Sequence, residues 1–185
     1  MPADPRETAL RFEALLFEHR RIVLHVARIY AGSGDERHDL AQEICSQLWR
    51  AFPTYDETRR FSTWMYRIAL NVGITHFRQM RARSERFLAW DDHLEAALAV
   101  PAPDTLGDER VEELNQLIAE LDPMSRALAL LYLDERPYTE IAEVLGISES
   151  NVSTKIARIK QRLRDRVQAR ASTQPNTEKS RYGTR

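Results

Sequence analysis

Apolar residues recur three and four positions apart along much of the chain, which is the spacing of amphipathic α-helices. Only 6 of the 185 residues are glycine, while 43% are apolar and 30% are charged, a balance typical of helix-rich globular proteins. The pattern therefore predicts an all-α fold. It is clearest in three early stretches, which carry Phe12, Leu15, Leu16, Ile22, Val23, Val26 and Ile29, then Leu40, Ile44, Leu48 and Phe52, then Trp64, Met65, Ile68, Val72 and Phe77.

Punctuating residues suggest where the first helices begin and end. The first stretch predicts one helix from Leu10 to Tyr30, ended by the glycines that follow it. A second helix is expected to begin near Asp35, an acceptable N-cap, and to stop at Pro53. Residues 53–60 then form a polar loop, after which Ser62 can cap a third helix.

The composition changes sharply in the middle of the chain. Residues 89–109 mix acids and alanines with Pro101 and Pro103, which is the composition of a flexible linker. The prediction is two small helical domains, residues 8–88 and 110–170, joined by that linker. Residues 171–185 are rich in polar and charged side chains without apolar periodicity, so they are expected to be a disordered tail.

The formal net charge of -1 hides a strong separation of charge along the sequence. An acidic segment lies between two basic blocks. A run of charge is more often a solvated helix face than a binding site, so the blocks need support from a motif before they indicate nucleic acid. The basic residues are Arg67, Arg78, Arg81, Arg83 and Arg86 in one block, and Lys155, Arg158, Lys160, Arg162, Arg164, Arg166 and Arg170 in the other.

Residues 138–163 carry the pattern of a helix-turn-helix. Gly146 suits the left-handed position that closes a first helix, and Ser148 is a good N-cap for the second. The alternative is a plain helical hairpin with a solvated polar face. Against it stand the capped turn and the grouping of hydrogen-bonding and cationic side chains on the outer face of the second helix. These outward residues are Ser150, Asn151, Ser153, Thr154, Lys155 and Arg158.

Several other classes of protein find little support. The five histidines lack metal-ligand spacing, and no phosphate-binding glycine loop or nucleophile elbow is present, so neither an enzyme nor a metal or cofactor is predicted. Cys45 is the only cysteine and is expected to be a small buried residue in a reducing compartment. With no apolar leader or membrane-spanning run, the expectation is a cytoplasmic protein without membrane insertion.

Three motifs together resemble the extracytoplasmic-function (ECF) sigma factors of bacterial RNA polymerase. The first is Asp-Leu-Ala-Gln-Glu at residues 39–43, followed by Trp49-Arg50. The second is Phe-Ser-Thr-Trp-Met-Tyr-Arg-Ile-Ala-Leu-Asn at residues 61–71, and the third is the helix-turn-helix. The resemblance covers roughly Phe12 to Arg166. It implies a subunit that directs promoter-specific transcription initiation.

The resemblance also implies a role for each segment. The second helix would dock on the clamp of the β′ subunit of core RNA polymerase through Asp39, Gln42, Glu43 and Arg50. The third helix would meet the melted minus-ten element of promoter DNA through Arg67, Asn71 and Arg78, with a flipped base entering beside residues 53–60. The reading positions for the minus-thirty-five element fall on Ser153, Thr154, Lys155 and Arg158.

Two local features leave alternatives open. Trp64 and Tyr66 suit either the core or contact with single-stranded DNA. Ser153 stands where many relatives carry arginine, and a lost bidentate guanine contact would cost about 1–3 kcal/mol of discrimination. The rival function is an operator-binding helix-turn-helix regulator, which has no need of the motif at residues 61–71.

The mode of regulation is a separate question. Many relatives open the clamp-docking helix with acids, whereas this chain has Glu36-Arg37-His38-Asp39. The resemblance leaves open control by an anti-sigma protein or by a Ser/Thr kinase. Thr54 is the preferred phosphate acceptor because it follows the docking helix directly, with Thr58 and Ser62 as alternatives. Thr54 also suits a purely structural role in the loop.

Overall fold

The computed structural model describes residues 4–88 and 109–173, which form α-helices, one 3-10 turn and short connections. The first four helices are α1 (Pro5–Glu18), α2 (Arg20–Tyr30), α3 (Gly34–Ala51) and α4 (Phe61–Leu88). A 3-10 turn, Phe52–Thr54, follows α3. Helices α2, α3 and α4 pack against one another as a three-helix bundle. The all-α prediction is confirmed.

The predicted single helix from Leu10 to Tyr30 is wrong, because the chain turns at His19, where φ is -104° and ψ is 13°. The turn lets the two segments face different partners. In α1 the buried residue Phe12 packs on Trp49 with ring centroids 5.1 Å apart, whereas α2 buries most of one face in the bundle. A straight helix would place the apolar residues of both segments on the same side.

Helix α3 is capped two residues earlier than predicted, by Ser33 instead of Asp35. The Ser33 hydroxyl accepts the Glu36 amide at 3.2 Å, and the Glu36 carboxylate accepts the Ser33 amide at 3.1 Å. This reciprocal capping box pairs two amides that the helix leaves without partners. Ser62 likewise is not a cap, since α4 already begins at Phe61 and Ser62 is buried within it.

The second domain consists of α5 (Glu109–Ala119), α6 (Pro123–Leu133), α7 (Tyr138–Leu145) and α8 (Glu149–Thr173). Asp122 caps α6 by accepting the Ser125 amide at 3.0 Å. Gly146 adopts the left-handed conformation, with φ of 66°, and closes α7. The Ser148 hydroxyl accepts the Asn151 amide at 3.3 Å at the start of α8. The helix-turn-helix prediction is therefore confirmed in its local detail.

The two domains pack against each other. Helix α2 contacts α5 and α6, and α4 contacts α6 and α7, so the buried apolar residues form one continuous cluster. The sequence predicted two domains, and it gave no prediction of whether they contact each other. Of the predicted linker, residues 89–108 lie outside the described residues. Helix α8 extends to Thr173, and the remainder of the predicted tail, residues 174–185, also lies outside them.

Candidate nucleic-acid and polymerase interfaces

Helix α8 presents one polar face beside an apolar one. Val152, Ile156 and Ile159 are buried against α6 and α7, which fixes the rotation of the helix. The predicted DNA-reading residues are consequently on the outside, near the helix start. They are Ser153, Thr154, Lys155 and Arg158, all exposed. Thr154 donates its hydroxyl hydrogen to the Ser150 carbonyl at 2.9 Å, so a base edge would have to compete for that donor.

Helix α4 carries a second exposed polar face. Arg67 and Asn71 are one turn apart and Arg78 lies two turns further, so the three share one side of the helix. All three are exposed, while Ala69 and Leu70 between them are buried in the bundle. The structure therefore brings the predicted minus-ten residues into one line along α4.

The aromatic residues near the start of α4 form a cluster. Trp64 is half-buried and lies 5.2 Å from Phe61 and 5.1 Å from Tyr55, measured between ring centroids. Phe52 packs edge-on against the Trp64 ring at 6.3 Å. Tyr66 is 2% exposed and points instead toward the second domain. The sequence left open whether Trp64 and Tyr66 belong to the core or contact single-stranded DNA. In this structure both rings pack as core residues.

The loop between α3 and α4 is organised by its own polar side chains. Asp56 accepts the Thr58 amide at 3.0 Å and its hydroxyl at 2.7 Å, and these bonds hold the pKa of the Asp56 carboxyl below its usual value. The Tyr55 hydroxyl donates to the Arg59 carbonyl at 2.6 Å. Residues 53–60 are thus shaped before any ligand arrives.

Helix α3 displays the predicted polymerase-docking residues on its outer side. Asp39, Gln42, Glu43 and Arg50 are all exposed, opposite the buried Leu40, Ile44 and Leu48. Trp49, beside Arg50, leaves 45% of its surface exposed. Aromatic residues and arginine are enriched at protein–protein interfaces, so the exposed Trp49 and Arg50 suit such a contact.

Thr54 lies in the 3-10 turn at the end of α3 and is exposed. Its hydroxyl donates to the Ala51 carbonyl at 2.7 Å. Arg37, at the other end of α3, directs Nη2 to the Gly32 carbonyl at 3.1 Å.

Sequence reasoning missed a set of charged residues at the contact between the domains. Asp134 accepts a hydrogen bond from the Tyr66 hydroxyl, and its Oδ1 lies 3.2 Å from Nδ1 of His25. Burial opposes ionisation of Asp134, but these bonds outweigh it and hold the pKa of its carboxyl below the usual value. Burial, together with the bond to Asp134, raises the pKa of Tyr66.

Arg126 forms a second polar link between the domains. Its Nε donates to the Leu121 carbonyl at 2.8 Å, and Nη1 reaches the Ile29 carbonyl of α2 at 3.3 Å. The guanidinium also lies over the Phe77 ring, 4.2 Å from its centroid. Burial lowers the pKa of Arg126. No spacing in the sequence distinguishes Arg126 from the many surface arginines, so periodicity had no means of finding it.

Within residues 4–88 and 109–173, no group of three or more His, Cys, Asp or Glu side chains is placed to hold a metal ion. No helix in these same ranges is long and apolar enough to cross a membrane.

Comparison with known proteins gives two family matches and several relatives. The family model for sigma-70 region 2 matches residues 15–83, and that for sigma-70 region 4 matches residues 111–163. The ECF RNA polymerase sigma factor SigW of Bacillus subtilis is 29% identical over 145 residues, covering 74% of this chain and 78% of the relative. The ECF RNA polymerase sigma-E factor of Escherichia coli K12 is 28% identical over 171 residues, covering 85% and 86%.

Two solved structures share the fold. The sigma factor RpoE of Bartonella quintana, in complex with the anti-sigma factor NepR, superposes with a TM-score of 0.68 at 18% identity, covering 85% of this chain and 97% of that one. CnrH, in complex with the cytosolic domain of CnrY, gives a TM-score of 0.63 at 23% identity, covering 85% and 88%. The operator-binding alternative is not favoured, because the match includes region 2 as well as the helix-turn-helix. The chain belongs to the sigma-70 family and is a sigma factor of the ECF class that directs transcription initiation.

Proposed function

We propose that three exposed faces divide the work of initiation in this sigma factor. The outer side of α3, with Asp39, Gln42, Glu43 and Arg50, docks on the clamp of the β′ subunit of core RNA polymerase. The line of Arg67, Asn71 and Arg78 on α4 meets the melted minus-ten element, and Ser153, Thr154, Lys155 and Arg158 on α8 meet the minus-thirty-five duplex. The observation that carries the proposal is that all of these side chains are exposed on helices whose opposite faces are buried.

The chemistry of the two faces proposed to meet DNA, on α8 and on α4, suits that ligand. Lys155 and Arg158 are exposed cations near the start of α8, where phosphates and base edges are met by a recognition helix. On α4, the Asn71 amide can donate to and accept from a base edge, and the flanking arginines attract phosphates of a single strand. The factor itself is proposed to catalyse no reaction and to act with polymerase in the cytoplasm, as members of the family generally do.

Holoenzyme reconstituted from purified core enzyme and the full chain tests the assignment. Transcription from a library of genomic fragments identifies the promoters that the factor selects. Lys155→Ala and Arg158→Ala are expected to weaken closed-complex formation on these promoters with core affinity unchanged, since each removes a cation facing duplex DNA. Asp39→Ala is the reciprocal control and should weaken core binding. Loss of core binding by the α8 variants would contradict the division of roles.

Asn71→Ala separates melting from duplex recognition. The expected result is slower promoter opening, measured by permanganate reactivity of unpaired thymines, with closed-complex affinity little changed. An equal loss in both steps would mean that Asn71 acts structurally and not on the melted strand.

Regulation is proposed to act on the α3 surface. A phosphate on Thr54 would add about -1.5 to -2 charges at the C-terminal end of α3, whose start carries Arg37 and His38 at positions that are usually small or acidic in relatives. Tighter core binding by Thr54→Glu than by Thr54→Ala would support this, and tight binding by the unmodified chain would contradict it. An anti-sigma protein is the other candidate, because the similar solved structure of the sigma factor RpoE is a complex with the anti-sigma factor NepR. Purification of the native protein with its partners distinguishes the two.

A further inference from the structure

A cleft of about 400 Å³ lies between the two domains, where α7 faces the loop after α3 and the start of α4. The first-domain side carries hydroxyl and guanidinium groups, and the α7 side carries two carboxylates. The cleft is lined by Thr58, Arg59, Arg60 and Thr63 on one side and by Pro137, Thr139, Glu140 and Glu143 on the other.

The carboxylates of α7 engage the first domain directly. Thr63 donates its hydroxyl hydrogen to Oε1 of Glu140 at 2.8 Å, and Glu140 is only 8% exposed. Nη1 of Arg136 lies 3.5 Å from the same oxygen and 3.4 Å from the Ser62 hydroxyl. Near the cleft mouth, Nη1 of Arg59 lies 3.4 Å from Oε1 of Glu143.

These contacts belong to a wider set that holds the domains together. The Tyr30 hydroxyl donates to the Pro123 carbonyl at 2.7 Å, Arg126 reaches the Ile29 carbonyl, and Asp134 binds Tyr66. Placing the ionisable groups of Arg126, Asp134 and Glu140 at one contact costs free energy unless each group is paired, and each of the three is paired. The arrangement is therefore a specific one, which we call the closed arrangement.

The α7 carboxylates resemble a nucleic-acid backbone because both present anionic oxygen acceptors to the loop. Each presents anionic oxygens to a hydroxyl donor or a guanidinium, the same partners that bind phosphate oxygens. We propose that α7 competes with single-stranded DNA for one binding surface, formed by the loop after α3 and the start of α4. In the closed arrangement Glu140 and Glu143 contact this surface, and promoter DNA binds to it only when α7 moves away. The inference rests on the proposed minus-ten role of this region.

Binding of a short fluorescein-labelled oligothymidylate to the full chain tests the competition by fluorescence anisotropy. Glu143→Gln and Glu140→Gln, made separately, are expected to bind about three- to tenfold more tightly than the wild type, since each removes one charged contact. Glu135→Gln is the matched control: it makes the same charge change on the exposed turn between α6 and α7. Glu143 is itself exposed, so its variant leaves the core untouched.

Small-angle scattering of the same proteins reports whether the domains separate. A larger radius of gyration together with tighter oligothymidylate binding in both cleft variants, but not in Glu135→Gln, supports the proposal. Equal affinities in all four proteins would overturn it, and so would an equal gain in Glu135→Gln, which would reflect net charge alone. Domain separation without a gain in affinity would also overturn it.

Reconstituted transcription separates this inference from the proposed function. If wild-type holoenzyme initiates at specific promoters and Asn71→Ala slows opening, the proposed minus-ten role stands whatever the cleft variants do. If Asn71→Ala and wild type open promoters equally, the proposed function of α4 fails, independently of the affinity of the cleft variants for oligothymidylate.

Discussion

Gly73 offers a sharp test of how tightly α2 and α4 pack. A Cβ added at this position would lie 2.8 Å from Cδ2 of Tyr30 and 3.0 Å from Cγ1 of Val26. Both neighbours are buried. The Tyr30 ring is held at its far end as well, because its hydroxyl donates to the Pro123 carbonyl at 2.7 Å. The ring therefore has little freedom to move away from an added methyl group.

Two effects of Gly73→Ala oppose each other. Alanine favours a helix over glycine by about 1 kcal/mol, which would stabilise α4. Forcing a methyl group into a packed core costs about 1–3 kcal/mol. Since the closest atom belongs to a buried ring fixed at both ends, we expect the steric cost to dominate. The free energy of unfolding should therefore fall, by up to about 2 kcal/mol.

Urea denaturation of the full chain, followed by circular dichroism, measures the effect. Gly34→Ala is the matched control, because an added Cβ there meets nothing within 4 Å. That variant should be as stable as the wild type or up to about 1 kcal/mol more stable. In a Tyr30→Phe background, where the ring is no longer tethered to Pro123, Gly73→Ala should cost less. The reasoning is refuted if Gly73→Ala raises stability as Gly34→Ala does.

Three further predictions concern polar groups. Arg126→Ala should lower the free energy of unfolding by about 2–4 kcal/mol, because it leaves the carbonyls that Arg126 binds unpaired. The control Arg162→Ala, at an exposed arginine, should change the free energy of unfolding by less than about 0.5 kcal/mol. Urea denaturation compares the two variants, and equal effects would contradict the buried role of Arg126. Asp134, whose pKa is lowered despite burial, should contribute stability above about pH 4 that is lost as pH falls toward the lowered value. Asp134→Asn should flatten this acid dependence, and an unchanged profile would argue against it. Burial raises the pKa of Cys45, so iodoacetamide should alkylate it at neutral pH more slowly than free cysteine, as mass spectrometry can show.

The helix boundaries show where sequence patterns succeed and where they fail. Gly146 and Ser148 were predicted in their exact roles, because a left-handed closing position and an N-cap depend on a few neighbouring residues. The break at His19 was missed, since apolar spacing continues through it and no proline or glycine marks it. Acidic character near the helix start favours Asp35 as the cap of α3, although the Glu three residues after Ser33 is the signature of a capping box that begins at Ser33.

By itself, the sequence determined the all-α class, the helix-turn-helix and the outward placement of the proposed binding residues. These follow from periodicity, which reports which side of a helix is apolar. The contact between the domains was decided only by the tertiary structure. Thr63 and Glu140 are 77 positions apart, and nothing local to either residue specifies the other. Periodicity identifies the face that a helix buries but not the element that covers it, so the pairing of Glu140, Arg126 and Asp134 with the first domain emerges only when the helices pack.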